Sequence, residues 1–211
     1  MPSELTPTDR TRLRRRADRG AFDRDTVYGV IDEGYIAHVG FVVDGAPRVL
    51  PMTFGRIDDV LYLHGAVANA MLRASRDAEV CVTVTLLDGL VLARSAFHHS
   101  MNYRSVVLLG TASEVQDDAE KERAFTAIVE HTLAGRSDVA RPANEAERRA
   151  TLVLRVPIEE GSAKVRTGPP IDDEEDMDLP VWAGVIPLRL TPGTPIQDPA
   201  QSLPFDPPAL A

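Results

Sequence analysis

The sequence has little cysteine and no long apolar run. Cys81 is the only cysteine and lies in an apolar stretch with the pattern of a strand. A disulfide within one chain and redox chemistry by a cysteine pair are therefore both excluded, and we interpret Cys81 as a small buried core residue. No apolar stretch reaches the ~18 residues that a membrane-spanning helix requires, and no hydrophobic leader stands at the start. These absences predict a cytoplasmic protein with no membrane partner.

The familiar signatures of metal and nucleophile chemistry are also missing. The sequence has no HExxH motif, no cysteine pair for zinc, no GxSxG elbow, no Walker loop and no dinucleotide-binding fingerprint. His98 and His99 are adjacent, which would point them to opposite faces of a strand and does not favour a metal site. No acid–base pair with a defined spacing is evident, so any chemistry is expected to come from a bound cofactor.

Lysine is scarce and the net charge is negative. Lys121 and Lys164 are the only lysines among 23 basic residues, and the formal charge of the 211-residue chain is −9. An acidic chain is not expected to present a broad nucleic-acid surface. The acidity is concentrated in residues 172–178 and the basic charge in residues 10–24. The hydrophobic fraction of 44% is enough to bury a substantial core.

The order of strand and helix patterns predicts mainly antiparallel β structure with flanking helices. Two-residue turn signals at Asp44-Gly45, Asp58-Asp59 and Asp88-Gly89 separate apolar stretches rich in β-branched residues. Such short connections favour an antiparallel barrel over a doubly wound parallel sheet. Strands are predicted over residues 35–43, 47–56, 60–64, 79–87, 90–96, 103–115, 151–157 and 162–167. Helices are predicted over residues 5–20, 23–33, 66–76, 117–133 and 144–150.

The chain divides into three segments. Residues 1–20 are rich in arginine and predict a helical N-terminal extension at the surface. Residues 21–190 contain the strand patterns and are expected to form one domain. Prolines accumulate in residues 191–211, which we expect to form an extended or poorly ordered tail.

The most informative stretch is the polar run over residues 95–106. It combines two histidines with serines, an asparagine, a tyrosine and an arginine at the point where a strand should enter the core. Polar groups beside a core strand are costly unless they hold something polar. This stretch therefore indicates a bound anionic cofactor.

Two further stretches place polar or small residues at strand ends. Pro51 interrupts the strand pattern of residues 48–53, which indicates an edge strand, a bulge or a neighbouring ligand. The stretch from His64 to Asn69 runs from a strand end into a helix start, where free backbone amides would suit a phosphate. A structural histidine is the alternative for His64.

Basic and aromatic residues near the end of the domain suggest further contacts. Lys164 and Arg166 alternate with apolar residues and so share one face of a strand. Two cations near a core need an anion, which is either a bound ligand or the acidic run over residues 172–178. Trp182, the only tryptophan, is either a core residue or a wall for a flat ring.

With these segments in place, the chain resembles the pyridoxamine 5′-phosphate oxidase-like flavoproteins. Within them it is most similar to the flavin-nucleotide-binding subgroup, which includes the nitroimidazole-resistance reductases. The stretches that carry the resemblance are residues 37–41 (AHVGF), 49–51 (VLP), 61–65 (LYLHG), 82–106, 162–168 (SAKVRTG) and 179–184 (LPVWAG). The resemblance implies a split β-barrel of antiparallel Greek-key type that forms a homodimer with two FMN sites at the interface.

The resemblance also implies roles for individual residues. Residues 49–53 would run beside the isoalloxazine ring, and residues 62–66 would flank the ring and the ribityl chain. Asn69 would approach the phosphate, and residues 103–105 would line the site from the next strand. His64 matches a histidine at the flavin of the nitroimidazole reductases and is the implied catalytic residue. The implied cofactor-binding residues are Arg48, Val49, Leu50, Pro51, Met52, Thr53, Tyr62, Leu63, His64, Gly65, Ala66, Asn69, Met71, Tyr103, Arg104, Ser105, Lys164, Arg166 and Trp182.

One position departs from the family pattern. Relatives usually carry a phosphate-binding basic residue where this chain has Ala70. We therefore expect Arg73, Arg48 or Arg104 to substitute for it. Without a substitute, FMN would bind weakly, or the cofactor would be FAD, a deazaflavin or haem.

The implied function is an FMN-dependent oxidoreductase that reduces a small oxidised substrate, such as a nitroaromatic compound, with NADH or NADPH as donor. Pyridoxamine phosphate oxidase activity itself is not expected, because that enzyme's C-terminal substrate-binding arginine pattern is missing. The alternatives are a non-catalytic flavin-binding module and a haem-binding split-barrel protein.

Overall fold

The computed structural model describes residues 3–202 and 206–208. These residues contain ten strands and four α-helices. The strands are β1 Gly20–Ala21, β2 Ala37–Val43, β3 Ala46–Met52, β4 Phe54–Ile57, β5 Val60–Ala66, β6 Ala78–Leu92, β7 Ser100–Glu114, β8 Thr151–Pro157, β9 Glu160–Arg166 and β10 Gly184–Pro187. The helices are α1 Arg24–Glu33, α2 Ala70–Ser75, α3 Asp118–Thr132 and α4 Glu145–Ala150. The prediction of mainly β structure with flanking helices is confirmed.

The strands of the described chain pair antiparallel and form a barrel. Along the main path the order is β3-β2-β6-β7-β8-β5-β4, while β9 pairs with β7 and β1, and β10 pairs with β6. The long strand β7 joins the two halves, because its residues 103–109 pair with β9 whereas Ser113 and Glu114 pair with β8. A sheet that bends around one shared strand in this way can close on itself.

The core lies inside the barrel and is built from alternate residues of the strands. On β5, Leu61 and Leu63 are fully buried in the main core, whereas Tyr62 lies in a second cluster beneath α3. Each buried leucine contributes roughly 1.5–3 kcal/mol relative to an exposed one. Because side chains alternate along a strand, the register that buries these leucines also turns His64 towards α3.

Helix α3 packs directly on strand β4. A Cβ atom at Gly55 would lie 2.6 Å from the backbone nitrogen of Ile128, so the close approach requires glycine. The Asp117 side chain caps the first turn of α3, and Ala124 and Ile128 on its buried stripe enter the second cluster. This packing fixes the helix beside His64.

Two of the three predicted turns are confirmed and one is wrong. Asp44-Gly45 and Asp58-Asp59 connect antiparallel partners, and Asp44, Gly45 and Asp58 have φ of 50°, 75° and 49°, as such tight hairpin turns require. At Asp88-Gly89 the chain instead continues as one strand, β6, with a register shift against β7. The extra residue, Asp88, makes a bulge, and β10 pairs along the far edge of β6 at this point.

The helix predicted over residues 5–20 is wrong. The segment contains only a single 3-10 turn at Ala17–Arg19. Leu5 is buried in the main core, and the Arg10 guanidinium forms an ion pair with Glu160 of β9. Threonine hydroxyls in the segment also form hydrogen bonds with one another and with the backbone, which offers an alternative to helical bonding.

Smaller differences concern element ends and one buried position. The helix predicted over residues 66–76 begins only at Ala70, and the strand predicted over residues 47–56 is divided at Thr53. Cys81 is half-buried rather than in the core, because it belongs to the outward-facing alternate set of β6. Strands β1 and β10 were not predicted.

In the described residues, no helix is long and apolar enough to cross a membrane. The described part of residues 191–211 contains neither helix nor strand. The rest of that tail lies outside the described residues.

Candidate functional site

Strand β3 is an exposed edge, because in the described chain it pairs only with β2. Its residues 47–51 are exposed, and Val49 is 62% exposed. Pro51 is tolerated there because an edge strand lacks a second partner. The edge offers free backbone donors and acceptors next to apolar side chains, an arrangement that suits the polar rim of a flat ring.

The outer face of the sheet beside β3 carries apolar side chains together with His38 and Thr83. Antiparallel partners point to the same side, and one row on this face runs through Pro51, His38, Thr83 and Val107. Val107 and Val42 are 38% and 60% exposed. The described chain therefore leaves part of this sheet face in contact with solvent.

His64 lies on the opposite side of the barrel, beside α3. Its Nδ1 atom is buried and has no hydrogen-bond partner in the described chain, and burial lowers the pKa of the imidazole. The ring borders a cavity of about 350 Å³. The other cavity residues are Glu122, Phe125, Thr126, Ile128, Val129, Ser137, Ala140, Arg141, Pro142, Ala143, Glu147 and Thr151. A neutral imidazole at such a cavity can accept a hydrogen bond or bind a metal ion.

Three residues of the implied flavin set face the interior. Leu63 and Met71 are buried in the main core. The Tyr62 hydroxyl donates a hydrogen bond to Glu120 of α3 at 2.9 Å. Burial and this bond raise the pKa of Tyr62 to about 12. These side chains are therefore occupied by packing.

The start of α2 differs from a free phosphate site. The Asn69 Oδ1 atom accepts hydrogen bonds from the amides of Met71 and Leu72 at 2.9 and 3.3 Å, so both amides are already used. Ala70 supplies no charge at this position. Arg73 lines a separate surface cavity of about 510 Å³ next to Ala70.

Arg104 lies between two carboxylates. It contacts Asp88 at 3.0 and 2.8 Å and also forms an ion pair with Glu33 of α1. These bonds raise the pKa of the guanidinium. Its donors are thus engaged within the protein, and the phosphate contact implied by the resemblance would have to replace them.

Four implied residues do come together across β7 and β9. Tyr103 is the cross-strand partner of Arg166, and Ser105 is the partner of Lys164. The Ser105 hydroxyl donates to the Lys164 carbonyl at 3.4 Å. Lys164 and Arg166 line a cavity of about 590 Å³, together with Arg15, Arg16, Arg19, Phe97, His98, His99, Ser100, Ile171 and Asp173.

The acidic run does not neutralise Lys164 or Arg166. Asp172 accepts hydrogen bonds from the amide and the guanidinium of Arg94 at 2.8 and 2.9 Å. Asp173 contacts His98 at 3.0 Å. The ion pairs of Asp172 and Asp173 thus involve Arg94 and His98, and a bound ligand for Lys164 and Arg166 stays a prediction.

Trp182 is not a core residue, because it is 63% exposed. Its ring lies against Gly184 at the start of β10, where a Cβ atom would come within 2.9 Å of the indole. β10 extends the sheet from β6. The role of Trp182 as a wall for a flat ring stays a prediction.

In the described chain the implied residues thus fall into separate places, which include an exposed β3 edge, the cavity beside the half-buried His64 and a basic cavity at β9. Sequence analysis missed the contribution of Arg15, Arg16 and Arg19 to the basic cavity. The sequence feature that could have revealed this contribution is the excess of basic charge in residues 10–24, which was interpreted as part of a surface helix. Among the described residues, no group of three or more histidine, cysteine, aspartate or glutamate side chains could hold a metal ion.

Comparisons with known proteins cover nearly the whole chain. A family model described as pyridoxamine 5′-phosphate oxidase matches residues 23–165, whereas no curated protein matches the chain. The flavocytochrome Anf3 from Azotobacter vinelandii is 41% identical, with 96% of this chain and 95% of that chain covered and a TM-score of 0.89. The FAD and haem binding protein from Mycobacterium smegmatis is 36% identical, with coverages of 90% and 94% and a TM-score of 0.85.

A third similar structure is a putative 5-nitroimidazole antibiotic resistance protein from Bacteroides thetaiotaomicron. It is 27% identical, with 69% of this chain and 86% of that chain covered and a TM-score of 0.58. The similarity to the flavocytochrome and to the FAD and haem binding protein therefore extends further along the chain than the similarity to the resistance protein.

Proposed function

The chain belongs to the pyridoxamine 5′-phosphate oxidase family, and we propose that it is a flavin-dependent oxidoreductase that acts as a homodimer. The observation that carries this proposal is the similarity along nearly the whole chain to a flavocytochrome and to an FAD and haem binding protein. The resemblance in the sequence points to FMN, whereas the name of the second relative favours FAD. A small oxidised substrate and NADH or NADPH as donor complete the proposal.

The exposed edge of β3 fits a flavin ring. Its unpaired backbone groups would bind the polar rim of the ring, and Val49 and Leu50 provide exposed apolar surface beside it. The basic cavity at Lys164 and Arg166 would bind the negatively charged phosphate of the flavin. A bound flavin supplies the electron transfer, and the protein positions it and excludes water.

The homodimer is supported by the outer sheet face. Val42 and Val107 on this face are 60% and 38% exposed in one chain, and exposed apolar surface of this kind marks interaction sites. Val107→Asp should convert the dimer to a monomer in light-scattering chromatography. Val139→Asp is the matched control, because Val139 is also exposed but lies outside the sheet. A monomeric wild-type protein would contradict the proposal.

The absorption spectrum of the purified protein tests flavin binding. We expect two flavin bands, a released cofactor that chromatography identifies as FMN or FAD, and oxidation of NADH or NADPH in the presence of a nitroaromatic compound. Flavin without turnover would indicate a binding module. Protein that neither contains flavin nor binds added FMN or FAD would contradict the proposed function.

Haem binding is a second candidate function, favoured by the half-buried His64 imidazole. Among the described residues its Nδ1 atom has no hydrogen-bond partner, burial lowers the pKa of the imidazole, and the adjoining cavity includes the apolar side chains of Phe125, Ile128 and Val129. A neutral imidazole of this kind is suited to bind haem iron. Haem titration should give a strong near-ultraviolet band that His64→Ala abolishes and that His38→Ala, at an exposed position on β2, retains. An identical band in all three proteins would remove His64 as the ligand.

A further inference from the structure

Five permanent cations converge on one cavity of about 590 Å³. They are Arg15, Arg16, Arg19, Lys164 and Arg166, and among the described residues that line the cavity Asp173 supplies the one carboxylate. The chain as a whole carries a formal charge of −9. The cavity therefore reverses the sign of the average surface and would concentrate anions.

Arg166 shows that this positive charge is not balanced from within. The residue is 5% exposed, and its guanidinium donates to neutral acceptors, namely the Asn102 side chain and the carbonyls of Gly168 and Pro169. Its Nε atom is buried and has no acceptor in the described chain. Burial, with a further contribution from the nearby Arg19, lowers its pKa. A buried cation without a counter-charge is costly, and a bound anion would offset that cost.

An exposed aromatic ring stands at the rim of the same cavity. Phe97 is 87% exposed, and its ring meets that of His98 edge-on with 5.3 Å between the centroids. A large ring kept in solvent beside bound phosphates is well placed to stack on a nucleobase. The cavity volume also falls within the range of about 300–1,000 Å³ that is usual for small-ligand sites.

We infer that this cavity binds the diphosphate of a nucleotide, with the arginines around the phosphates and Phe97 against the base. Arginine suits this role because its planar fork binds phosphate oxygens in pairs. This inference rests on the proposed function, which supplies two candidate nucleotides. FAD and the nicotinamide dinucleotides both contain an ADP group. FMN has a single phosphate and would leave part of this positive charge unused.

Calorimetric titration with ADP and with inorganic pyrophosphate tests the site. The double variant R16Q/R19Q removes two lining cations, and R12Q/R14Q is the matched control from the same segment, since neither of its arginines lines the cavity. Two lost charge-assisted contacts should weaken binding at least about tenfold. The control should bind like the wild type, and a thermal melt of each variant shows whether it is folded. The variant Lys164→Gln repeats the test from the other side of the cavity.

The flavin that each protein retains on purification identifies the source of the nucleotide. Loss of FAD from R16Q/R19Q, but not from R12Q/R14Q, assigns the cavity to the ADP part of FAD. If R16Q/R19Q keeps its flavin but binds ADP and NADPH more weakly, the cavity binds the ADP part of the nicotinamide electron donor. Equal flavin content and equal ADP and pyrophosphate affinities in both variants and the wild type would overturn the inference. Failure of the oxidoreductase proposal is distinguishable, because ADP would then still bind to protein that has no flavin and no turnover.

Discussion

The guanidinium of Arg104 forms a bidentate ion pair with Asp88, at 3.0 and 2.8 Å. Asp88 is the extra residue of the bulge in β6, so this pair fixes the bulge against β7. The same guanidinium also pairs with Glu33 at the end of α1. Arg104 thereby joins the helix to the sheet.

Arg104→Ala should lower the free energy of unfolding by about 1–2 kcal/mol, a modest value because the partly exposed carboxylates remain screened by water. Urea denaturation measures it. Arg104→Lys keeps the positive charge but loses the planar guanidinium that binds two carboxylate oxygens at once. It should therefore restore only part of the lost free energy of unfolding. Flavin content per folded molecule should stay unchanged. A loss of flavin with unchanged stability would instead support the phosphate role that the resemblance implies.

Glu160→Gln should loosen the N-terminal segment. Glu160 accepts hydrogen bonds from the Thr8 hydroxyl and the Arg10 guanidinium, and these bonds lower its pKa to about 2. Their contribution is present above the ordinary pKa near 4.5 and is lost as pH falls towards 2. Amide hydrogen exchange over residues 4–13 should rise in the variant. Glu159→Gln, at the exposed neighbouring position, should leave it unchanged.

Tyr62→Phe should cost about 0.5–1.5 kcal/mol, since Glu120 loses one hydrogen-bond donor. Flavin content should not change, because the phenol faces α3. In the wild type, Tyr62 should ionise late, with its pKa of about 12 visible in an alkaline absorbance titration. Tyr35→Phe at an exposed position is the control. Reduced flavin binding by Tyr62→Phe alone would show that the phenol contacts the cofactor.

His64 should make stability depend on pH below its ordinary pKa of 6.5. The unfolded chain takes up a proton near that pH, whereas burial keeps the folded imidazole neutral to lower pH. The free energy of unfolding should therefore decrease as pH falls from 6.5 to the lowered folded pKa. His64→Gln should reduce the difference between denaturation curves at about pH 7.5 and pH 5.5. Glu122, Arg141 and Glu147 border the same cavity. An unchanged difference between the two curves would contradict a role of His64 in the pH dependence.

Local sequence signals predicted the structure correctly where distant contacts favour the same backbone conformation as the local residues do. Asp44-Gly45 forms the predicted hairpin turn, with positive φ at both residues. The same type of signal at Asp88-Gly89 gave a bulge, because Arg104 and the pairing of β10 hold the chain extended there. The N-terminal prediction failed for a similar reason, since Leu5 and Arg10 are bound by residues far along the chain. No local pattern encodes such contacts.

The candidate site was predictable in chemistry but not in arrangement. Lys164 and Arg166 were expected on one strand face near an anion, and both line the basic cavity. Arg16 and Arg19 reach this cavity only because β1, which follows them, pairs with β9. Asn69 caps α2, and Arg104 joins α1 to the bulge of β6, and the spacing of residues revealed neither contact. Sequence patterns specify which groups are present, whereas long-range strand pairing decides which of them meet.

The pairing of Gly20 with Lys164 has a consequence for folding. Strand β1 can pair only after β9 has been synthesised, and β9 lies more than a hundred residues later in the chain. The barrel therefore cannot close during most of synthesis. Non-local pairing of this kind slows folding. Until it is complete, β7 exposes the edge that β9 later covers, and an unfinished chain is prone to aggregate through that edge. Chaperone dependence during expression, and insoluble products from chains truncated before residue 160, are the expected outcome.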